Sequence, residues 1–549
     1  MMEWPADNQP SSNHPIYTRG NVGEVFPDVV LPLEWELGGP PSEEGWRRGA
    51  EAVGFLTPDD YGTDAFVLNG VFGGYAYFNV SLMRLLGVRA PGMTVELIDQ
   101  QFLGDAEDIA PYEPAAGDRN IGASARVVRT VGRTLTATRA KLLEPMRRQV
   151  AICRSLAPGA DGTEEQQWQF LRQRFPSYWS FMIEAHVVNT MQATIAAGAL
   201  TDFCEKNLGD PALAVALTTG LGDVVSAQPA AEMWRLANET SDADFDAAFA
   251  EFLQRFGHRG PNEFSIAARD WGAHPEVAVA MIDTMRGIDP ERSPAQQQQR
   301  MADEQKAVAT KVRNQVGRRA PVLDRLIGST AMWSRVREES KDLVIQLTDV
   351  SRIASRSLFS SVRERGGCPE LLGPVLLTMK EMETYMADPG SMLSTIQSRT
   401  ADHAVLSDLE PPFSFDARQH NGSFPPVETW AKRAVVGSAA AHTGDQLAGI
   451  AGAPGTYEGI ARVVTDPGDP TALEPGDILV APLTDPSWTP LFVAAGAVVV
   501  EVGAAMSHAV IVSRELGLPC VVGVERATLQ IVDGTRIQVD GHTGTVTIL

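Results

Sequence analysis

From Gly452 to the C-terminus the chain alternates short β-branched runs with turns: "GIARVVTD", "DILVAP", "AGAVVVEV", "PCVVGV", "TRIQVDG" and "GTVTIL". Runs this short and this apolar need each other as neighbours in a sheet, so they predict one compact β-rich domain of about 100 residues, a common domain size. One stretch breaks the pattern. In "GAAMSHAVIVSREL", residues 503–516, an apolar strand gives way to a helix. Gly503 permits the turn, Ser507 is placed to cap the helix, Gly517 closes it and Pro519 blocks its continuation. His508 then falls in the first helical turn.

That position has a chemical consequence. Free backbone N–H groups and the positive end of the helix dipole converge there. Their field opposes a second positive charge and favours neutral imidazole, the nucleophilic form. The same field stabilises a phosphoryl group attached to the ring. A histidine at a helix start also serves simply as packing, and the residues alone leave both readings open.

The rest of the chain reads differently. Residues 1–45, rich in Pro, Asn, Gly and acid, predict an extended N-terminal arm. Residues 46–407 are mostly helical in pattern. "SDADFDAAFAEFLQRFG" has Ser241 as N-cap candidate and Gly257 as stop, and "SPAQQQQRMADEQKAVATKVRNQVG" has Ser293 as cap and Pro294 at the first helical position. "STAMWSRVREESKDLVIQLTDVSRIASRSLFSSVRERGG" predicts a long helix, broken at most once. Trp179, Phe181, Met182, Trp234, Trp333 and Phe359 could line an acceptor pocket, but side chains at such helical spacing are more often core, and they are not named as site residues. Residues 408–451, Pro- and Gly-containing, predict a linker or hinge before a mobile domain at 452–549. The fold class is therefore multidomain α+β, a largely helical domain followed by a compact β/α domain.

Composition narrows the functional classes. With 549 residues the chain exceeds one hydrophobic core, and a net charge of −23 repels nucleic acid and anionic lipid. Arg147-Arg148 and Arg318-Arg319 are isolated basic pairs, not a patch. Four cysteines without CxxC or Cys/His ligand spacing fit reduced thiols in a cytoplasmic protein, with no metal site. No apolar run is long enough to span a bilayer, and the N-terminal residues lack a signal-peptide pattern.

The segment from "GDILVAP" through "SHAVIVSRELGLP" to "VDGHTGTV" closely resembles the mobile phosphohistidine domain of phosphoenolpyruvate-utilising enzymes, among them phosphoenolpyruvate synthase, pyruvate phosphate dikinase, rifampin phosphotransferase and phenylphosphate synthase. The resemblance implies that His508 takes a phosphoryl group from an ATP-derived donor and that the domain swings to deliver it. Met506, where the dikinase branch usually has threonine, looks more like the rifampin phosphotransferase branch. Upstream, "NVGEVFPDVVLPLEW" resembles that branch's opening segment, with Leu31-Pro32-Leu33-Glu34-Trp35 where relatives more often have Thr-Pro-Leu-Thr-Trp. "FGHRGPNEFSIAARDWGAHP" resembles its His-Arg-Gly segment and "RVREESKD" its Arg-Glu-x-x-Lys helix.

The resemblance implies site residues beyond His508. Arg337 and Lys341, spaced i,i+4, share a helix face and correspond to cations that hold the transferring phosphoryl group. A solvated face with a Glu338–Lys341 pair is the alternative. His258, Arg259 and Glu263 follow a helix stop and are candidates for phosphate or substrate contact, as is Ser507. No Gly-Lys dipeptide occurs, so there is no P-loop. Only about 20 residues precede the opening segment, where related single-chain enzymes carry an ATP-grasp domain. ATP and Mg2+ are accordingly expected on an ATP-grasp type subunit acting in trans, a division for which phenylphosphate synthase offers the precedent, and no cofactor is expected on this chain. The expected activity is phosphotransfer from His508 to a hydroxyl of a small, apolar or phenolic acceptor. A non-catalytic ligand-binding or regulatory protein and a phosphocarrier to another protein are the rivals.

Overall fold

The computed structural model describes residues 3–90, 92–103, 109–134, 138–159, 161–220, 222, 225–366, 373–432, 440–468, 473–503 and 507–549. Met506, Cys368 and the 433–439 part of the expected hinge lie outside the described residues. The chain is a multidomain α+β protein and forms two compact units, each assembled from three stretches. One comprises 1–192, 264–268 and 340–436; the other comprises 193–263, 269–339 and 437–549.

The first unit combines helices with a four-stranded antiparallel sheet, ordered Asn69–Phe72, Tyr75–Asn79, Ile16–Thr18, Ser414–Asp416. Gly73 and Gly74, both at positive φ, make the tight turn between the first two strands, where a Cβ on Gly73 would strike Trp430 at 2.3 Å. Tyr17, Phe72, Tyr77 and Phe415 pack ring against ring on this sheet. The first 45 residues are thus no extended arm. Ile16–Thr18 is an inner strand, and helix Pro32–Val53 runs through the expected boundary with Pro32 at its start and Gly54 at its left-handed C-cap. Its buried Glu43 accepts N–H bonds from Val67, Leu68 and Asn69 and a 2.8 Å bond from Arg47, so both carboxylate oxygens are satisfied.

The second unit contains an eight-stranded mixed sheet. At its centre Thr456–Val463, Ile478–Ala481, Ala497–Val500 and Cys520–Val522 run parallel, with Val480 beside Val463 and Val499, and Val499 beside Val521. Antiparallel strands flank them. Gln446–Ala448 and Ile450–Ala453 already belong to this sheet, so the C-terminal domain begins before Gly452, and the expected linker is largely folded. Continuous β-branched runs suit a parallel sheet covered on both faces. One of those covers comes from the same unit. Helices Gln228–Asn238, Phe245–Phe256 and Pro275–Thr284 share a single buried core with Trp488, Leu491, Phe492, Val510 and Leu516. Residues 46–407 are therefore not one helical domain, because their middle part is packed with the C-terminal sheet.

Among the sequence-level details, Ser293 caps helix Pro294–Val316 as expected, its hydroxyl accepting from Gln296 N–H. Ser241 does not cap its helix. The N-cap of Phe245–Phe256 is Asp244, to which the Ser241 hydroxyl donates at 2.6 Å. The long helix is unbroken over Ala320–Glu364. Trp179, Met182, Trp234, Trp333 and Phe359 are buried, as read, while Phe181 is partly exposed. Among the described residues, no helix is long and apolar enough to cross a membrane.

Gly541, in the closing "VDGHTGTV", tests this packing. A Cβ there would lie 1.8 Å from the Ala453 carbonyl oxygen, a backbone atom that cannot swing away. Gly541→Ala is expected to destabilise the second unit by about 3 kcal/mol or more, read as a lowered urea midpoint.

Candidate active site

The strand order fixes the site. Ile478–Ala481 and Ala497–Val500 are parallel neighbours, so the segments that follow them emerge on the same edge. Ligands of open α/β sheets characteristically bind outside the carboxyl ends of such strands. The first segment carries Thr484, Asp485, Ser487 and Thr489; the second leads to Ser507 and helix His508–Leu516. His508, 6% exposed, lies in that helix's first turn. Thr489 Oγ1 is 3.2 Å from its Nε2 and Thr484 Oγ1 is 3.4 Å from its Nδ1. The Phe492 ring meets the imidazole edge-on, with centroids 5.8 Å apart. The ring is thus held from both nitrogens by neutral hydroxyls, each able to donate or accept.

Ser507 occupies the N-cap position in extended conformation, but its hydroxyl makes no cap bond, contrary to expectation. That Oγ is buried and has no hydrogen-bond partner. Within the helix the first bond comes from Ile511 N–H to the Ser507 carbonyl, so the amides of the opening turn are not consumed by the helix itself. A hydroxyl in need of a partner beside these donors suits an anionic oxygen. At its other end the helix stops at Gly517, whose φ of 65° is left-handed. There Arg514 Nε donates to the Gly452 carbonyl, and burial lowers that guanidinium to about 10.

The "HRGPNE" loop comes to this edge. Asn262, at a positive φ of 55°, turns its N–H to Asp485 Oδ2 at 3.3 Å, while Asp485 Oδ1 holds the Ser487 N–H at 2.7 Å. Asp485 adjoins Thr484, so the loop and the imidazole are linked through two consecutive residues. Gly260 has no room for a side chain, since a Cβ would stand 2.7 Å from the Arg269 carbonyl. His258 is buried. Arg259 and Glu263 form a buried ion pair, Nε to Oε2 at 3.3 Å, with side chains 3% and 2% exposed.

Arg337 and Lys341 lie i,i+4 on the unbroken helix Ala320–Glu364, on either side of the boundary between the two units. Arg337 belongs to the same unit as His508 and pairs with Glu338 at 3.2 Å. Lys341 belongs to the first unit, where its ammonium lies 5.7 Å from the centroid of Phe264. The Glu338–Lys341 alternative is therefore not what forms. Sequence reasoning missed Thr484, Asp485 and Thr489. Their signal was "TDPSWT", a hydroxyl- and acid-bearing segment directly after a buried strand. Among the described residues, no group of three or more His, Cys, Asp or Glu is placed to hold a metal.

Comparison with known proteins agrees with this geometry. Residues 473–544 match the mobile domain of phosphoenolpyruvate-utilising enzymes, and residues 238–338 match the rifampicin phosphotransferase fourth domain. Rifampicin phosphotransferase of Streptomyces sviceus is 32% identical over 314 residues, 55% of this chain and 34% of that protein. The Bacillus subtilis enzyme of the same name is 30% identical over 319 residues, 57% and 35% respectively. An uncharacterised Mycobacterium tuberculosis protein is 31% identical over 328 residues, 59% and 33%. The matched stretch spans about a third of each relative's length.

Glu515, next to Arg514 in the histidine helix, gives a pH test of how this helix is seated. Burial pushes its carboxyl up to about 7, against the opposing pull of the Gly222 and Gly220 backbone N–H groups and Arg335. A folded-state value above the ordinary 4.5 means that the contribution is complete below 4.5 and is lost as pH rises through 7. The loss is on the order of 3 kcal/mol. Glu515→Gln is expected to flatten this fall between pH 5 and 8 in urea denaturation, and an unchanged pH profile contradicts the assignment.

Two segments of the chain are thus similar to parts of phosphoenolpyruvate-utilising enzymes, residues 473–544 to their mobile domain and residues 238–338 to the rifampicin phosphotransferase fourth domain.

Proposed function

We propose that this protein is a phosphotransferase component that carries a phosphoryl group on His508 and passes it to a hydroxyl of a small apolar or phenolic molecule. The observation that carries the reading is the seat of His508. A buried imidazole, held by Thr484 and Thr489, lies in the first turn of a helix whose N-cap residue, Ser507, has a buried and unpartnered hydroxyl. Such a site stabilises both the neutral nucleophile and the negative oxygens of its phosphorylated form.

In this reading a covalent phosphohistidine splits one difficult transfer into two. Arg337 and Lys341 neutralise charge on the travelling group, and Arg259, with His258 and Glu263, shapes the edge against which it sits. The acceptor is held by the helical part, and the C-terminal domain moves as a body to deliver the group. The donor step belongs to a separate ATP-grasp type subunit, which binds ATP and Mg2+. The relatives named as rifampicin phosphotransferases support the choice of an apolar organic acceptor over a sugar.

The test mixes the chain with Mg-ATP, a candidate ATP-grasp subunit and hydroxyl compounds, and follows intact mass at alkaline pH, where phosphohistidine survives. Wild type is expected to gain one phosphate only with the donor subunit present, and His508→Ala none. Equal phosphate gain in both, or ATP turnover by the chain alone, refutes the reading. Arg337→Ala and Lys341→Ala are each expected to slow delivery by about 3 kcal/mol of transition-state stabilisation, whereas an exposed ion pair would change it by under about 1 kcal/mol.

A further inference from the structure

We propose that Glu34 is the residue that binds the acceptor's hydroxyl and takes its proton. The inference deepens the phosphotransfer reading and rests on it. Glu34 lies in the first turn of helix Pro32–Val53, within the first unit, and is nine-tenths buried. One carboxylate oxygen, Oε2, accepts the Ser265 hydroxyl at 2.8 Å, and the Ile266 N–H also bonds the carboxyl. The other oxygen, Oε1, is buried and has no hydrogen-bond partner. The Ser355 hydroxyl is likewise buried without a partner. Glu43, on the same helix, shows how this unit treats a structural carboxylate: three backbone N–H groups and Arg47 leave neither oxygen bare. A buried acceptor left open is costly unless something arrives to fill it.

The surroundings are those of a proton acceptor. Burial raises the Glu34 carboxyl to about 7, Asp28 adds to that, and Ser265, Ile266 and the wholly buried Arg352 oppose it. A general base is most effective when its pKa lies near the working pH. Ser265 directly follows Phe264, the ring beneath the Lys341 ammonium. The carboxylate and the cation assigned to the phosphoryl group are thus anchored on consecutive residues of one segment. In the step, the acceptor oxygen forms a bond to phosphorus while the bond from phosphorus to the His508 ring nitrogen breaks. The electron pair returns to the imidazole, which leaves neutral with the proton on its other nitrogen, and the hydroxyl proton passes to Glu34. The product is a phosphate monoester.

The test uses the full chain with phenol and rifampicin as probes. Binding to the unphosphorylated protein is measured by calorimetry. Discharge of phospho-His508, loaded chemically with phosphoramidate, is followed by intact mass from pH 5 to 9. At least one probe is expected to bind wild type, and E34Q to weaken it tenfold or more. In wild type, discharge to that probe should rise with pH to a plateau above about 7. E34Q should lower the plateau about 100-fold or more and flatten the rise. Ser265→Ala removes one bond that stabilises the charged carboxylate, so it should move the midpoint upward while keeping the plateau, a change that lost packing would not produce. Binding of neither probe to wild type, or binding and discharge by E34Q equal to wild type, overturns the assignment. Probe binding that depends on Glu34 in a chain whose His508 never accepts phosphate refutes the phosphotransfer reading and leaves Glu34 as a ligand-binding group.

Discussion

The parallel pairing of Ile478–Ala481, Ala497–Val500 and Cys520–Val522 decides where His508 can be. Parallel strands deliver their following segments to one edge, and a crossover helix between two of them must start there. The helix start supplies unbonded amides, and the neighbouring strand supplies Thr484 and Thr489. No residue of the site makes this arrangement alone. A one-residue slip of Ala497–Val500 would turn its buried valines to the opposite face and rotate the helix away from the threonines. The apolar run in the sheet is therefore as much a part of the chemistry as the histidine.

The same sheet shares a buried core with helices Gln228–Asn238, Phe245–Phe256 and Pro275–Thr284. Trp271, Phe252 and Phe256 are among the side chains it holds, alongside Trp488 and Phe492 of the histidine domain. Burying one large apolar side chain is worth about 1.5–3 kcal/mol. Delivery by a moving histidine domain thus requires either that this core part, with a partner covering the apolar face, or that the helices travel with the sheet. Phe492 adds a constraint, since it belongs to this core and also touches the imidazole. Any rearrangement of the core is felt directly at the His508 ring.

The histidine helix was legible because its signals are local: Gly517 ends it and His508 starts it, and neither depends on distant residues. Ser293 was legible for the same reason. The Ser507 cap was not, because whether a hydroxyl at the N-cap bonds its own helix or stays open depends on its surroundings. The arm over residues 1–45 was misread because its Pro and Gly content resembles a loop, while Pro32 is in fact the first residue of a helix and Ile16–Thr18 is completed by a strand some 400 residues later. The division of the helical region was hidden for a similar reason: amphipathic periodicity shows that a face is buried, but not against which partner. Thr489 has no motif in the periodic sense. It matters only because of a strand pairing that brings it to His508.

The proposed transfer would require an acidic protein to stabilise a phosphoryl group. A net charge of −23 gives no long-range attraction for a polyanion. Stabilisation has to come from groups within contact distance, and two of these already carry an acid: Arg259 with Glu263 and Arg337 with Glu338. The first pair is fully buried, where each ion has lost most of its hydration and needs the other. The partly exposed Arg337 has lost less hydration, so its pairing with Glu338 is weaker and more readily exchanged for a phosphoryl oxygen. Within the proposed function, Arg337 is on this ground the group to meet the moving charge, while Arg259 belongs to the loop that Asn262 ties to Asp485.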